Sequence, residues 1–341
     1  MGVNRKEITK KREIEISDLS NKILAVDSYN QLYQFITTIR SRDGSPLMDS
    51  KGQVTSHLIG VFSRATNLMQ SNIKLCYVFD GKVPDLKKKE LEKRKEAKLS
   101  AQKLYEKAKE SGDEEMMRKY GGRFARLNED MVEEAKKLIT YLGMPLVQAP
   151  SEGEAQAAFM TKQGHAYAVS SQDFDSVLFG ATRVVRNLSI SQKKKVAGKL
   201  VYETVKPEEI ITEEVLKELE ISQDKLIAVG MLVGTDYNNG GIKGLGPKKA
   251  LQLVKKHDDL DKIFSEAKWS ENSDVEWQEI FELFKNMPYN DAYSLKWSEI
   301  DEDKITKLLV DEHDFSQERV ESTLAKLSKR DKKQQGLKKW F

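Results

Sequence analysis

Two short apolar runs, each ending on an acid, set the pattern of the N-terminal half: residues 22–27 (KILAVD) and 73–80 (IKLCYVFD). Both predict buried strands that carry a carboxylate, Asp27 or Asp80, at the C-terminal end. Between them Val54, Leu58, Val61, Phe62, Ala65 and Leu68 recur at helical spacing and predict a helix over 54–70. Residues 144–147, 166–169 and 177–179 are further strand candidates. Helices are expected over 130–142 and 151–162, the second capped by Ser151 with Glu154 at the third helical position. Alternation of this kind predicts an α/β layer structure around a largely parallel, twisted sheet. In such sheets ligands gather at the carboxyl ends of the strands, which is where these acids lie.

Residues 82–126 break the pattern. They hold almost no strand formers, are rich in Lys, Glu and Ala, and contain Gly112, Gly121 and Gly122. A helical insert with two arms and a loosely packed turn is expected. Residues 183–188 and 199–205 read as a hairpin around a basic turn at 191–198. Beyond about residue 210 the pattern is helical, broken by a glycine-rich connection at 242–250. Residues 328–339 are basic and polar and read as an unstructured segment. The organisation expected is one core over 1–327, with the insert at 82–126, a helix–turn–helix element at 225–260 and a tail at 328–341.

Composition sharpens this picture at three points. The 341 residues are 39% hydrophobic and 33% charged with a net charge of only +3, so total charge does not name a partner. Its distribution does more: 82–126 carries 15 Lys/Arg against 9 Asp/Glu. A cationic insert beside carboxylate-tipped strands suits an anionic polymer held near a metal site. The single cysteine, Cys76, lies inside an apolar run and reads as core, and the four histidines have no zinc-ligand spacing. No apolar stretch approaches membrane-spanning length, and no secretory signal is evident.

Seven carboxylates fall at strand ends or helix starts: Asp27, Asp80, Glu152, Glu154, Asp173, Asp175 and Asp236. Any one of them alone would be read as a cap or surface charge. Their repetition after apolar runs is what points to a site, because converging acids repel one another unless cations neutralise them. Hard oxygen donors suit Mg²⁺, which keeps several waters and completes its shell with phosphate. Two such ions about 4 Å apart can serve phosphodiester hydrolysis. Lys87, Arg94 and Lys98 share one helical face, at i, i+7 and i+11. Gly244 and Gly246 with Lys243, Lys248 and Lys249 make a tight turn into a helix N-terminus, a place where backbone amides meet phosphate. The last eight residues place Gln334, Leu337, Trp340 and Phe341 on a polar tail, as a peptide would that fills a pocket on another protein.

The segments VDSYNQLYQF, TSHLIGVFSR, VFDGKVPDLKKKELEKRKEA, APSEGEAQAAFM, SSQDFDSVLFG, VGTDYNNGGIKGLGPKKA and QQGLKKWF, with MGV at the start, resemble the flap endonucleases in order and spacing along essentially the whole chain. The short tail resembles the archaeal members. The resemblance implies an α/β core with helices on both sides of the sheet and Mg²⁺-dependent removal of 5′ flaps in lagging-strand maturation and repair. It implies two ions, with Mn²⁺ as an alternative. Asp27, Asp80, Glu152 and Glu154 would gather around one, Asp173 and Asp175 around the other, and Asp236 would act through water. It makes 82–126 a helical arch, ordered by DNA, in which Lys87 and Arg94 stabilise charge on the scissile phosphate and Lys98 contacts DNA. Tyr33 becomes a base-stacking platform. Arg40, Thr55 and Arg64 receive a one-nucleotide 3′ flap, and the 242–250 turn grips duplex with a bound K⁺. The terminal peptide becomes a sliding-clamp ligand on a chain otherwise monomeric. An archaeal cytoplasm or nucleoid, or a nucleus in a eukaryote, is the expected location. Two alternatives stand beside this reading: a relative that cuts bubbles, gaps or Holliday junctions, and a non-catalytic junction-binding adaptor.

Overall fold

The computed structural model describes residues 11–188, 193–195 and 202–338. Strands β1 (Arg12–Glu13), β2 (Ile23–Asp27), β3 (Lys74–Phe79), β4 (Leu146–Gln148), β5 (Ala168–Ser170), β6 (Arg183–Arg186) and β9 (Glu208–Ile211) form one sheet in the order β1-β9-β6-β5-β2-β3-β4. The five strands from β6 to β4 run parallel; β9 is antiparallel to both of its neighbours. Strands β7 (Lys193–Lys195) and β8 (Tyr202–Thr204) make a separate antiparallel ribbon.

Residues along the central strands alternate between two cores. Ala25, Cys76, Val78, Val169 and Val184 face one cluster; Leu24, Val26, Leu75, Tyr77, Phe79 and Val185 face the other. This is the period of two expected of a sheet covered on both faces. Helices α1 (Ser28–Thr38), α2 (Ser56–Gln70) and α5 (Glu129–Tyr141) supply the second cluster. Helices α6 (Gly153–Lys162), α7 (Asp175–Leu178), α9 (Gln223–Val233) and α10 (Pro247–Lys256) supply the first. The insert is α3 (Lys88–Glu110) packed against α4 (Glu114–Gly121), with Tyr105, Ala108 and Met117 as its own small core. Its glycines have specific reasons. Gly112 turns with φ +69°, while a Cβ on Gly121 would lie 2.3 Å from the Gly44 carbonyl oxygen. The end of α4 is therefore seated against the loop between α1 and α2, while in the turn itself nothing lies within 4 Å of the place a Cβ on Gly112 would take.

Four expectations need correction. Residues 177–179 belong to α7 and its end, not to a strand; an apolar run this short carries no period. Strand β6 does not form a hairpin with 199–205. Val184 and Val185 are buried on opposite faces, so β6 is an interior strand, between β5 and β9. Ser151 does not cap α6: its hydroxyl donates to the Lys82 carbonyl, and Glu152 holds the N-cap position without a side-chain cap. Finally, α15 (Gln317–Lys338) carries helical backbone through 328–338, where no structure was expected. Buried Val320, Leu324 and Leu327 anchor that helix, and the Lys- and Gln-rich sequence beyond them consists of good helix formers.

Candidate active site

The acids meet at the carboxyl edge of the parallel strands. Asp27 is the last residue of β2 and caps α1, its Oδ1 accepting from the Asn30 amide at 3.1 Å. Asp80 follows β3, and its Oδ1 accepts from the Gly153 amide at 2.7 Å, supplying the cap that Ser151 was expected to give α6. Glu152 and Glu154 flank that glycine. A Cβ on Gly153 would stand 2.5 Å from Asp80 Oδ1, so only glycine lets strand end and helix start approach this closely. The loop after β5 brings in Ser171, Asp173 and Asp175.

Hydroxyls and an amide knit the carboxylates together. Ser171 Oγ lies 3.0 Å from Asp27 Oδ2 and 3.3 Å from Glu154 Oε1, and Ser176 Oγ lies 3.2 Å from the same Glu154 oxygen. Asn30 Nδ2 donates to Asp173 Oδ2 at 2.7 Å. Ser171, Ser176 and Asn30 were not singled out from sequence, although each stands within three residues of an acid that was. On the other side Lys87 Nζ lies 2.8 Å from Glu152 Oε2 and 3.3 Å from Asp236 Oδ2. Arg94 Nη2 also donates to Asp236. These contacts link six of the predicted acids with Lys87 and Arg94, and Asp175 joins them through its charge on Glu154.

Electrostatics bear this out. Burial first, then the charges of Asp80 and Asp173, push Asp27 up to about 7. Burial and Glu152 raise Asp80 to about 6 against the opposing pull of the Gly153 amide and Lys87. Glu154 is pushed well above the ordinary glutamate range by burial and by Asp27, Asp175 and Asp173. For Lys87, burial would depress the ammonium, but Glu152 and Asp236 outweigh it and hold it charged. Burial would likewise raise Asp236, and the cations Lys87 and Arg94 reverse that.

The donor set fits hard divalent cations: it is all oxygen and anionic, and its mutual repulsion is what a cation relieves. Among the described residues no group of three or more His, Cys, Asp or Glu side chains is placed as it would be around a metal ion. An ion that retains several waters does not require such a group already in place.

Other predicted contacts lie on the helices around this edge. The Tyr33 ring, on α1, is 36% exposed and carries Lys98 Nζ 4.6 Å from its centroid. Arg40 is turned inward, donating to the carbonyls of Ile36 and Gly44. Thr55 is buried at the start of α2, and Arg64 donates to Gln34 Oε1 and lies over the Phe35 ring. All three sit on the α1–α2 pair, each held by packing or hydrogen bonds of its own. Between α9 and α10, Gly244 adopts φ +85°, Gly246 caps α10 and Pro247 opens it. Neither Gly244 nor Gly246 has any atom within 4 Å of the place a Cβ would take, so the turn is open to an approaching chain. Lys243 and Lys249 line a cavity of about 400 Å³ beside it; Lys248 is in the first turn of α10. Gln334 and Leu337 lie on the backbone of α15, while Trp340 and Phe341 lie outside the described residues.

The XPG N-terminal domain matches residues 4–101 and the XPG I-region matches 143–236. Flap endonuclease 1 of Pyrococcus abyssi is 54% identical over 100% of this chain and 98% of its own length. The chain belongs to the flap endonuclease family. The flap endonuclease-1 structure from Methanococcus jannaschii superposes with a TM-score of 0.74 at 40% identity, covering 96% of this chain and 98% of that one. A structure of the Holliday junction-resolving enzyme GEN1, in complex with product DNA, Mg²⁺ and Mn²⁺, shares the fold at a TM-score of 0.56 and 15% identity, over 89% of this chain and 70% of that one. The described helices of this flap endonuclease include none long and apolar enough to cross a membrane.

Proposed function

We propose that the acidic edge of the sheet is where this chain, whose activity is structure-specific removal of 5′ flaps, cuts the phosphodiester with two divalent cations, Mg²⁺ or in its place Mn²⁺. The observation that carries the reading is the convergence of Asp27, Asp80 and Glu154 in one electrostatically coupled cluster whose proton affinities are raised by burial and by one another. Asp27, Asp80, Glu152 and Glu154 would hold one ion, Asp173 and Asp175 the second, and Asp236 would act through water. Such ions supply a nucleophilic hydroxide and neutralise the leaving oxygen.

The chain's own residues do the rest. Lys87 and Arg94 present fixed positive charge at the cluster's open side, where they stabilise charge on the scissile phosphate. Their present partners, Glu152 and Asp236, keep them there and charged. Helices α3 and α4 form the arch over this edge, with Lys98 directed to the strand that passes it. Tyr33 offers its ring face to a base, an interaction of about 1–3 kcal/mol. The turn that is open at Gly244 and Gly246 and the N-terminus of α10 bind duplex phosphates by backbone shape rather than base sequence, with Lys243, Lys248 and Lys249 adding charge and K⁺ as the resident cation. Arg40, Thr55 and Arg64 take the 3′ flap. The Gln334–Phe341 peptide docks on a sliding clamp, and a monomer in an archaeal cytoplasm or nucleoid is the working form.

The test is cleavage of labelled 5′-flap DNA by Asp80→Asn and Asp175→Asn in Mg²⁺. Both variants should bind the flap and lose cleavage by at least about 10³-fold, the scale on which a principal electrostatic contribution to the transition state is lost. Wild-type rates in both would remove the acidic edge from the chemistry. Bubble, gap and Holliday-junction substrates run alongside separate flap preference from the other cutting specificities.

A further inference from the structure

Arch and duplex-binding turn touch at a further point besides the contacts of Lys87 and Arg94 with Asp236. Glu90, one turn before Arg94 on α3, uses both carboxylate oxygens. Oε1 accepts from Arg94 Nε at 2.8 Å, and Oε2 accepts from the Asn239 side-chain amide. Its side chain is only 11% exposed on a helix that is otherwise mostly wet. Asn239 stands three residues after Asp236, and hydrogen bonds of the neighbouring Asn238 side chain brace that stretch. Asn238 Oδ1 accepts from the Thr235 amide at 3.1 Å and its Nδ2 donates to the Met231 carbonyl at 2.6 Å. The same connection continues into the turn that is open at Gly244 and Gly246.

We propose that Glu90 is a positioning residue that ties Arg94 to the duplex-binding turn through Asn239. With side chains 33% and 11% exposed, an i, i+4 contact of Arg94 and Glu90 along one helix adds little to stability by itself, so the pair's use is geometric. The guanidinium is planar and its donors are fixed relative to one another. With Nε held by Glu90, the Nη2 edge faces the acidic cluster whether Asp236 or a phosphate oxygen receives it. Glu90 is held by Asn239 in turn, so seating of the duplex on the turn and aim of the cation at the scissile phosphate become one event. The inference rests on the reading of Arg94 as a phosphate clamp.

The experiment measures single-turnover cleavage of a 5′ flap in Mg²⁺, and binding of the same flap in Ca²⁺, for the full chain. Glu90→Ala and Asn239→Ala should each slow cleavage about 10-fold while affinity and Tm stay near wild type, a pattern that marks transition-state positioning rather than binding or folding. The paired exchange Glu90→Gln with Asn239→Asp keeps net charge and reverses the donor and acceptor between the two side chains; it should recover the rate to within about threefold. Arg94→Ala should lose more, and adding Glu90→Ala to it should cost nothing further. Wild-type cleavage by Glu90→Ala, or a full additional loss in the double variant, overturns the proposal. If Arg94→Ala itself cuts at the wild-type rate, the clamp reading falls and the proposal with it. If Arg94→Ala is slow and Glu90→Ala is not, only the role of Glu90 is lost.

Discussion

Asp80 Oδ1 accepts the Gly153 amide at 2.7 Å, and through that bond the end of β3 sets the start of α6, with Glu152 and Glu154 on either side of the contact. Three acids from two distant segments are held in register by one hydrogen bond from a backbone amide to a side-chain carboxylate. A methyl group on residue 153 would lie 2.5 Å from the Asp80 oxygen. Gly153→Ala is expected to fold and bind flap DNA but to cut about 100-fold more slowly, the scale of loss for a displacement near 1 Å at a reacting centre. Single-turnover cleavage and circular dichroism check this; a wild-type rate would show that the Asp80–Gly153 contact does not set the site.

Burial and neighbouring charge hold Asp27 at about 7 and Asp80 at about 6, against about 3.9 for a free aspartate. A carboxyl that binds its proton more tightly folded than unfolded stabilises the fold at low pH. That contribution is complete below about pH 4 and is lost as pH rises through about 6 to 7. Without divalent cation, Tm should therefore fall more steeply from about pH 5 to 8 in the wild type than in Asp27→Asn. The variant should be the more stable protein near pH 7.5, by an amount on the order of 2 kcal/mol. Cation binding requires deprotonated ligands, so Mg²⁺ should raise Tm more at about pH 8 than at pH 5.5. Thermal melts across pH in EDTA and in Mg²⁺ decide this. Equal Mg²⁺ shifts in wild type and Asp27→Asn would take Asp27 out of the ligand set.

Lys98 Nζ stands 4.6 Å from the Tyr33 ring centroid and 3.5 Å from its hydroxyl, so arch and platform meet at the place proposed for a base. Tyr33→Phe keeps the ring face and should cut flaps near the wild-type rate. Tyr33→Ala should lose about 10-fold in cleavage, in keeping with about 1–3 kcal/mol for one base–aromatic stack. Equal rates for the two variants would end the stacking role.

Removal of residues 334–341 should leave cleavage of free flap DNA unchanged and abolish stimulation by a sliding clamp. Pull-down and clamp-stimulated turnover with Trp340→Ala and Phe341→Ala test the same point with the rest of the peptide in place. Undiminished clamp binding by the truncated chain would place the contact elsewhere.

The chain by itself determined the architecture of the sheet's centre and the identity of the acids. Strands β2 and β3 are continuous apolar runs, and a carboxylate at the end of such a run is exposed to view in the sequence. The cationic face of the insert and the glycine turn before Pro247 were legible for the same reason: each is a local pattern. Tertiary structure alone decided what depends on partners far along the chain. The segment Asp175–Leu178 is too short to show a period, and Glu208–Ile211 becomes a strand only because β6 offers it an edge. Nor could spacing reveal that Asp80 caps α6 across 73 residues, that Ser171 joins Asp27 to Glu154, or that Glu90 and Asn239 meet 149 residues apart. Local chemistry is written in neighbouring residues, whereas a hydrogen bond between distant segments exists only once packing has brought its donor and acceptor together.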